Sequence, residues 1–199
     1  MENIGSHWAI VLAAGASQRM GTCKAALPWG KYQNLLTYQL QQFHLAGINP
    51  IAVLNPRNAY LITEQIREKV RAIVNPTPEI GKTSSILLGL SQLPPEFKTV
   101  IISAVDQPRP ANIYQDLLRT WQQNPALIIA PTSQGKIGHP VLFSQRLWPE
   151  LLTITEASRG LRQVVQKYQK EIIYVPAAEI VLTDLNTPAV YQKAQFQGI

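Results

Sequence analysis

Four residues define the chemistry this chain could perform. Gly15, Arg19 and Lys24 lie in one glycine-bearing loop, Gly15-Ala-Ser17-Gln-Arg19-Met-Gly21-Thr-Cys-Lys24, and Asp106 ends a run of apolar residues far downstream. Gly15 lets the backbone approach a phosphate and turn its N–H groups toward it. Arg19 offers a planar fork of donors to phosphate oxygens, and Lys24 offers a point charge. A carboxylate at the end of a buried strand is costly alone, and a hard cation bound to it would relieve that cost. Mg²⁺ is commonly held by one or two carboxylates together with substrate phosphates. These residues suit a triphosphate and its metal. Read locally, the loop is a surface loop with two solvated cations, and Asp106 is a turn residue before Pro108.

The spacing of the loop favours the first reading. About 20 residues, ending near Asn34, separate the apolar run Trp8–Ala14 from the next helical pattern, where α/β connections usually take about 2–6. A long loop after a first parallel strand lies where such sheets bind ligands. The loop has neither the G-x-G-x-x-G of dinucleotide folds nor the G-x-x-x-x-G-K-[ST] of P-loops. The chain has three aspartates. Asp116 falls inside a helical pattern and reads as solvated surface. Asp184 belongs to Asp184-Leu-Asn186-Thr-Pro188, where Asp184 and Asn186 alternate and would face one side of a strand. Either could give a second metal oxygen, although Thr187 before Pro188 is also a plain helix start.

The elements that would position these residues alternate in type. Apolar runs at Trp8–Ala14, Ile51–Leu54, Val70–Val74, Thr99–Val105 and Leu127–Ala130 read as strands. Helical spacing occupies Leu35–Ala46, closed by Gly47, then Ala59–Glu68, Ser84–Leu93 and Asn112–Gln123. The C-terminal third is less regular. It offers strands at Pro140–Phe143 and Ile172–Val175, helices at Ser144–Leu152 and Gly160–Tyr168, and a last helix from Pro188. Strands apolar throughout, alternating with helices, predict an α/β fold with three Rossmann-like layers and a mostly parallel sheet. With 199 residues, no internal repeat and no linker, residues 1–199 read as one domain.

Composition narrows the partners. The net charge is +6 and the sequence pI about 9.6, yet Lys and Arg are scattered, with no basic run. That favours small phosphorylated ligands over nucleic acid. No apolar run approaches the ~20 residues that cross a bilayer. Trp8–Ala14 is too short for a signal core, and the single cysteine, Cys23, fits a reducing compartment, so a cytoplasmic location is expected. Cys23 reads as an exposed loop residue without an activating His, His7 and His44 as structural or solvent-facing, and Trp148 with Leu151-Leu152 as core.

Leu12-Ala13-Ala14-Gly15-Ala-Ser17-Gln-Arg19-Met-Gly21, followed by Lys24 and Leu27-Pro28, resembles the signature loop of MobA-like NTP transferases, and among them most the molybdenum cofactor cytidylyltransferases. Four further segments agree in order: Asn75 with Gly81-Lys-Thr-Ser84-Ser85, then Asp106-Gln-Pro108, then Gly138-His139-Pro140, then Asp184–Pro188. The likeness spans residues 8 to 195.

The resemblance implies transfer of CMP from CTP to the phosphate of molybdopterin carrying molybdenum, with release of pyrophosphate. It implies that the loop holds the triphosphate through Leu12, Ala13, Ala14, Gly15, Ser17, Arg19 and Lys24. Asn75, Gly81, Ser84 and Ser85 would lie near base and ribose, and His139 would touch the acceptor. Asp106 and Asn186 would hold Mg²⁺, with Mn²⁺ as its substitute. Ala14 stands where guanosine-using relatives tend to carry glycine, which argues for CTP. The implied partners are CTP or another NTP, a phosphorylated acceptor of molybdopterin type, and a molybdoenzyme or its chaperone. No nucleic acid and no membrane are implied.

Two departures stand out: Asn186 replaces a carboxylate common in relatives, and residues 157–162 lack the aspartate of their Gly-Asp-x-Gly-Ala-Arg. Transfer to another phosphorylated acceptor, such as a sugar phosphate, and a nucleotide-binding chaperone or regulator without turnover are the alternatives.

Overall fold

The structure is a computed structural model that describes residues 5–196. Its spine is an eight-stranded sheet in the order β3-β2-β1-β4-β7-β5-β6, with β8 on β5. The strands are β1 (His7–Leu12), β2 (Asn49–Leu54), β3 (Arg71–Val74), β4 (Thr99–Ala104), β5 (Ile128–Ser133), β6 (Lys136–Ile137), β7 (Val141–Ser144) and β8 (Ile172–Pro176). β1 pairs in parallel with both β2 and β4, β2 with β3, and β5 with β8. The chain runs outward from β1 to β3 and then crosses back to place β4 on the other side of β1. Ligands of open α/β sheets bind at such a reversal, beyond the carboxyl ends of the strands.

The helices are α1 (Leu35–Leu45), α2 (Glu64–Arg67), α3 (Lys82–Leu90), α4 (Ala111–Gln123), α5 (Trp148–Leu151), α6 (Leu161–Lys167) and α7 (Pro188–Phe196). They cover both faces, and β1 shows why its sequence is apolar throughout. Ala9, Val11 and Ala13 enter the core under α1 and α4, while Trp8, Ile10, Leu12 and Ala14 enter the core under α3, α5 and α6. A strand buried on both sides loses the usual alternation of polar and apolar residues. α3 packs close on β1. A Cβ added to Gly89 would sit 2.5 Å from Ile10 Cγ2. Asn34 caps α1 by accepting from Thr37 N at 2.8 Å.

Some elements depart from the sequence reading. The stretch 59–68 is not one helix: a 3₁₀ turn over Ala59–Leu61 is separated from α2 by Ile62 and Thr63, with Ile62 buried. Residues 144–152 likewise begin as a 3₁₀ turn, Gln145–Leu147, before α5. β7 is antiparallel to β4 and β5. A hairpin turn at Gln134-Gly135, both at positive φ, reverses the chain into β6, a strand the sequence reading lacked. The few residues between β5 and β7 cannot make the crossover of a dozen or more that a parallel partner needs. The segment Asp184–Asn186 is not a strand, so the alternation of a strand does not place its side chains.

Candidate functional site

The loop after β1 is fixed by its backbone carbonyls. Asn58 Nδ2 donates to the Ala13 carbonyl at 2.8 Å, and Asn55 Nδ2 to the Ala14 carbonyl at 3.0 Å. Both asparagines are buried. They satisfy the carbonyls where the strand ends, and Gly15 beyond them is exposed. Ser17 follows in the left-handed region at φ 52°, and its Oγ accepts from Lys24 N at 3.2 Å. That bond folds the loop back so that Arg19 and Lys24 reach the same place. Cys23 is half-buried rather than exposed, with Asn58 Nδ2 3.7 Å from its sulfur.

Lys24 is 8% exposed, and a buried ammonium requires partners. Its Nζ donates to Asp106 Oδ2 at 2.6 Å and to Asn186 Oδ1 at 2.8 Å. Arg19 Nη2 donates to the same Asn186 oxygen at 3.1 Å. Three segments distant in sequence therefore meet at one point. Asp106 is placed by β4, whose end is held from below: the fully buried Gln39 donates to the carbonyls of Ala104 and Val105, each at 3.0 Å. The late segment is tied to Asp106 by Leu185 N, which donates to the Asp106 carbonyl at 2.8 Å. Asp184 also borders this site, but its carboxylate accepts from Gln107 Nε2 at 2.9 Å rather than from Lys24. Asn186, not Asp184, thus joins Asp106.

These groups border a cavity of about 360 Å³ at the carboxyl end of the sheet, lined on the loop side by Leu12, Ala14, Gly15, Ser17, Arg19 and Lys24. Gly81 and Ser85 form part of the opposite wall. Asn75 is buried and acts at one remove, its Nδ2 donating to Ser84 Oγ and Ser85 Oγ at 2.9 Å each. Ser84 Oγ in turn donates to the Gly81 carbonyl at 2.8 Å. Of the expected nucleotide residues, the core residue Ala13, the buried Asn75 and Ser84 lie outside the cavity lining and support the wall rather than form it.

A second cavity of about 510 Å³ adjoins the first. Its floor includes Ile86, Ile102, Val141 and Phe143, and His139, Glu156, Arg159 and Arg162 stand on its sides. His139 keeps much of its surface exposed, but crowding of its ring by these walls lowers its pKa, Asp184 opposes that, and the charge of Lys82 adds to it. Glu156 Oε1 accepts from Thr83 N at 2.5 Å, and that bond holds its carboxyl below the usual range.

Behind both cavities lies Arg109, fully buried. It has carbonyls, not a carboxylate, as hydrogen-bond partners: Pro108 and Thr183 at 2.9 and 2.8 Å, His139 at 3.1 Å and Val181 at 3.3 Å. Burial pulls its pKa down to about 10. The sequence reading had no place for Arg109, Gln39, Asn55 or Asn58. Their partners are set by tertiary contact, and the only local hint was polar residues beside apolar runs.

Two hard oxygens, Asp106 Oδ2 and Asn186 Oδ1, converge on the point now held by the Lys24 ammonium. That donor pair fits Mg²⁺ or Mn²⁺, which take oxygen ligands and leave positions for phosphates. Among the described residues no three His, Cys, Asp or Glu cluster as a metal site.

Residues 9–172 match the family model of the MobA-like NTP transferase domain. A probable molybdenum cofactor guanylyltransferase of Rhodopirellula baltica is 23% identical over 186 residues, covering 90% of this chain and 87% of that protein. The fold is similar to that of Rv0371c from Mycobacterium tuberculosis H37Rv, with a TM-score of 0.79 at 20% identity over 96% of this chain and 99% of that one. Rv0371c has also been solved in complex with manganese, where the TM-score is 0.74 at 18% identity, over 96% and 98% of the two chains. The 4-diphosphocytidyl-2C-methyl-D-erythritol synthase of Anaerococcus prevotii DSM 20548 gives 0.73 at 17% identity, over 98% and 99%. With the family model matched over most of its length, this chain belongs to the MobA-like NTP transferase family and is a nucleotidyltransferase of that kind.

Proposed function

We propose that the protein transfers CMP from CTP to the phosphate of molybdopterin carrying molybdenum and releases pyrophosphate. The observation that carries this reading is the convergence of Arg19, Lys24, Asp106 and Asn186 at the mouth of the first cavity, with a second cavity alongside it. The first cavity takes the nucleotide and the second takes the acceptor, with His139 on its wall. Arg19 and Lys24 bind the triphosphate and neutralise charge that accumulates on the leaving pyrophosphate. Asp106 and Asn186 hold Mg²⁺, which supplies Lewis-acid polarisation of phosphate oxygens when bound. The attacking acceptor phosphate is already anionic, so the reaction needs alignment and charge neutralisation rather than a general base.

Ala14 supports CTP. It is buried in the apolar cluster and lines the first cavity, so its methyl takes space that glycine would leave to a larger base. The relative named as a guanylyltransferase supports GTP as the second reading. Thermal shifts with CTP, GTP and ATP, each with Mg²⁺, separate the two. A ligand at a hundred times its Kd adds about 2.7 kcal/mol of stability. CTP is expected to give the largest shift, and a larger shift with GTP overturns the cytidine assignment. Incubation with molybdenum-loaded molybdopterin is expected to release pyrophosphate, and release only with sugar phosphates overturns the acceptor.

A further inference from the structure

The two cavities share Leu12, Lys82, Ala104, Gln107 and Asp184 in their walls. Lys82 is the cation in that set. It opens α3, where the N–H groups of the first turn carry partial positive charge and a cation gains nothing from the helix. Among the described residues no carboxylate forms an ion pair with it. Glu156 accepts from Thr83 N, and Asp184 accepts from Gln107. Lys24 and Arg19, by contrast, are engaged by Asp106 and Asn186.

The backbone at Lys82 is held on both sides. Gly81 sits at φ 134°, where an L side chain is strained, and a Cβ there would lie 2.5 Å from Glu156 Cδ. Thr83 is pinned by the same carboxylate. Lys82 therefore leaves a fixed turn at the seam between the cavities. Its charge is felt at His139 on one wall and at Glu156 on another.

We infer that Lys82 is a catalytic residue that binds the acceptor's phosphate at this seam and holds it against the α-phosphate of the nucleotide. The inference rests on the transfer reading above. In the step itself, a bond forms between an acceptor phosphate oxygen and the α-phosphorus. The bond from that phosphorus to the β-phosphate oxygen breaks, and its electron pair leaves with pyrophosphate. No proton moves, because the attacking oxygen is already anionic. Two polyanions must come into contact, and a cation reached from both cavities lowers their repulsion where they meet.

The test uses inorganic phosphate as the probe. The full chain is saturated with Mg²⁺ and α,β-methylene CTP, or the GTP analogue if that gives the larger thermal shift, and phosphate is titrated calorimetrically. The wild type is expected to bind phosphate, and Lys82→Ala to bind it about tenfold or more weakly. Lys82→Arg should recover most of that loss, with nucleotide affinity nearly unchanged in both. Lys82→Gln provides the same comparison should the alanine variant fold poorly. Unchanged phosphate affinity in Lys82→Ala overturns the inference, as does a wild type that binds no phosphate. A loss of nucleotide affinity as large as that of Lys24→Ala would also overturn it, by placing Lys82 on the triphosphate. Transfer to molybdopterin is measured in parallel, and a wild type that fails there rejects the acceptor without altering the phosphate result.

Discussion

The ammonium of Lys24 lies 2.6 Å from Asp106 Oδ2 and bridges it to Asn186 Oδ1 at 2.8 Å. A cation of the chain therefore holds the point on which the proposed metal ligands converge. Lys24 and a divalent ion compete for the same oxygens, and the triphosphate offers Lys24 another partner. Metal and nucleotide are then expected to bind together rather than in turn.

Lys24→Met tests that competition. It should tighten Mn²⁺ binding in the absence of nucleotide, by about tenfold if roughly 1.4 kcal/mol of opposition is removed, and it should weaken CTP binding. Electron paramagnetic resonance of free Mn²⁺ measures the first and calorimetry the second. Weaker Mn²⁺ binding in Lys24→Met would show that Lys24 supports the metal site instead of competing for it.

Asp106→Asn should nearly abolish transfer with the fold intact, since it removes the charge of the proposed metal site. Asn186→Asp should keep or tighten metal dependence, and Asn186→Ala should raise the Mg²⁺ needed for half-maximal rate. Initial rates across a Mg²⁺ titration give all three. Should Asp184→Ala match Asp106→Asn while Asn186→Ala has no effect, the second ligand is Asp184.

The sequence marked the candidate residues better than their supports. Gly15, Arg19, Lys24 and Asp106 were legible because one unusually long loop and one fully apolar strand marked them. The choice between Asp184 and Asn186 was not. It depends on Leu185 N bonding the Asp106 carbonyl and on Gln107 drawing Asp184 aside, contacts across some 80 positions. The break at Ile62-Thr63 was hidden because the apolar spacing of 59–68 fits one helix as well as two turns. The antiparallel β7 was legible in principle, from a linker too short for a crossover.

His139 should titrate below 6.5, because the walls of the second cavity disfavour its charged form. Between its folded and unfolded pKa values the unfolded chain then holds more protons. Stability should not depend on this group above pH 6.5, should fall as pH drops below it, and should level off once the folded imidazole protonates. An NMR titration of the ring gives the midpoint, and urea unfolding of His139→Asn should lack that part of the slope. A midpoint above 6.5 would mean that Asp184 outweighs the crowding.

Arg109 makes the strongest demand on stability. Its guanidinium is buried and satisfies the carbonyls of Pro108, His139, Val181 and Thr183, which no other described side chain reaches. Arg109→Met keeps much of the volume but orphans the carbonyls of Pro108, His139 and Thr183, each worth about 1–3 kcal/mol when buried and unpaired, while the Val181 carbonyl keeps its bond from His139 N at 2.8 Å. The desolvation of the cation, seen in its pKa of about 10, offsets part of that loss. A net loss of about 3 kcal/mol is expected, which lowers Tm by roughly 6–12 °C for a chain of this size. Arg109→Lys should recover little, since an ammonium cannot present donors in the planar fork that meets four carbonyls. Arg119→Met is the control: its exposed pair with Asp116 should be worth under about 1 kcal/mol. Because these carbonyls belong to the strand end beside Asp106, to the His139 wall and to the segment leading into Asp184, Arg109→Met should also reduce transfer at temperatures where the protein remains folded. Equal melting of the Arg109 and Arg119 variants would show that the carbonyls find water instead, and that Arg109 does not hold the site together.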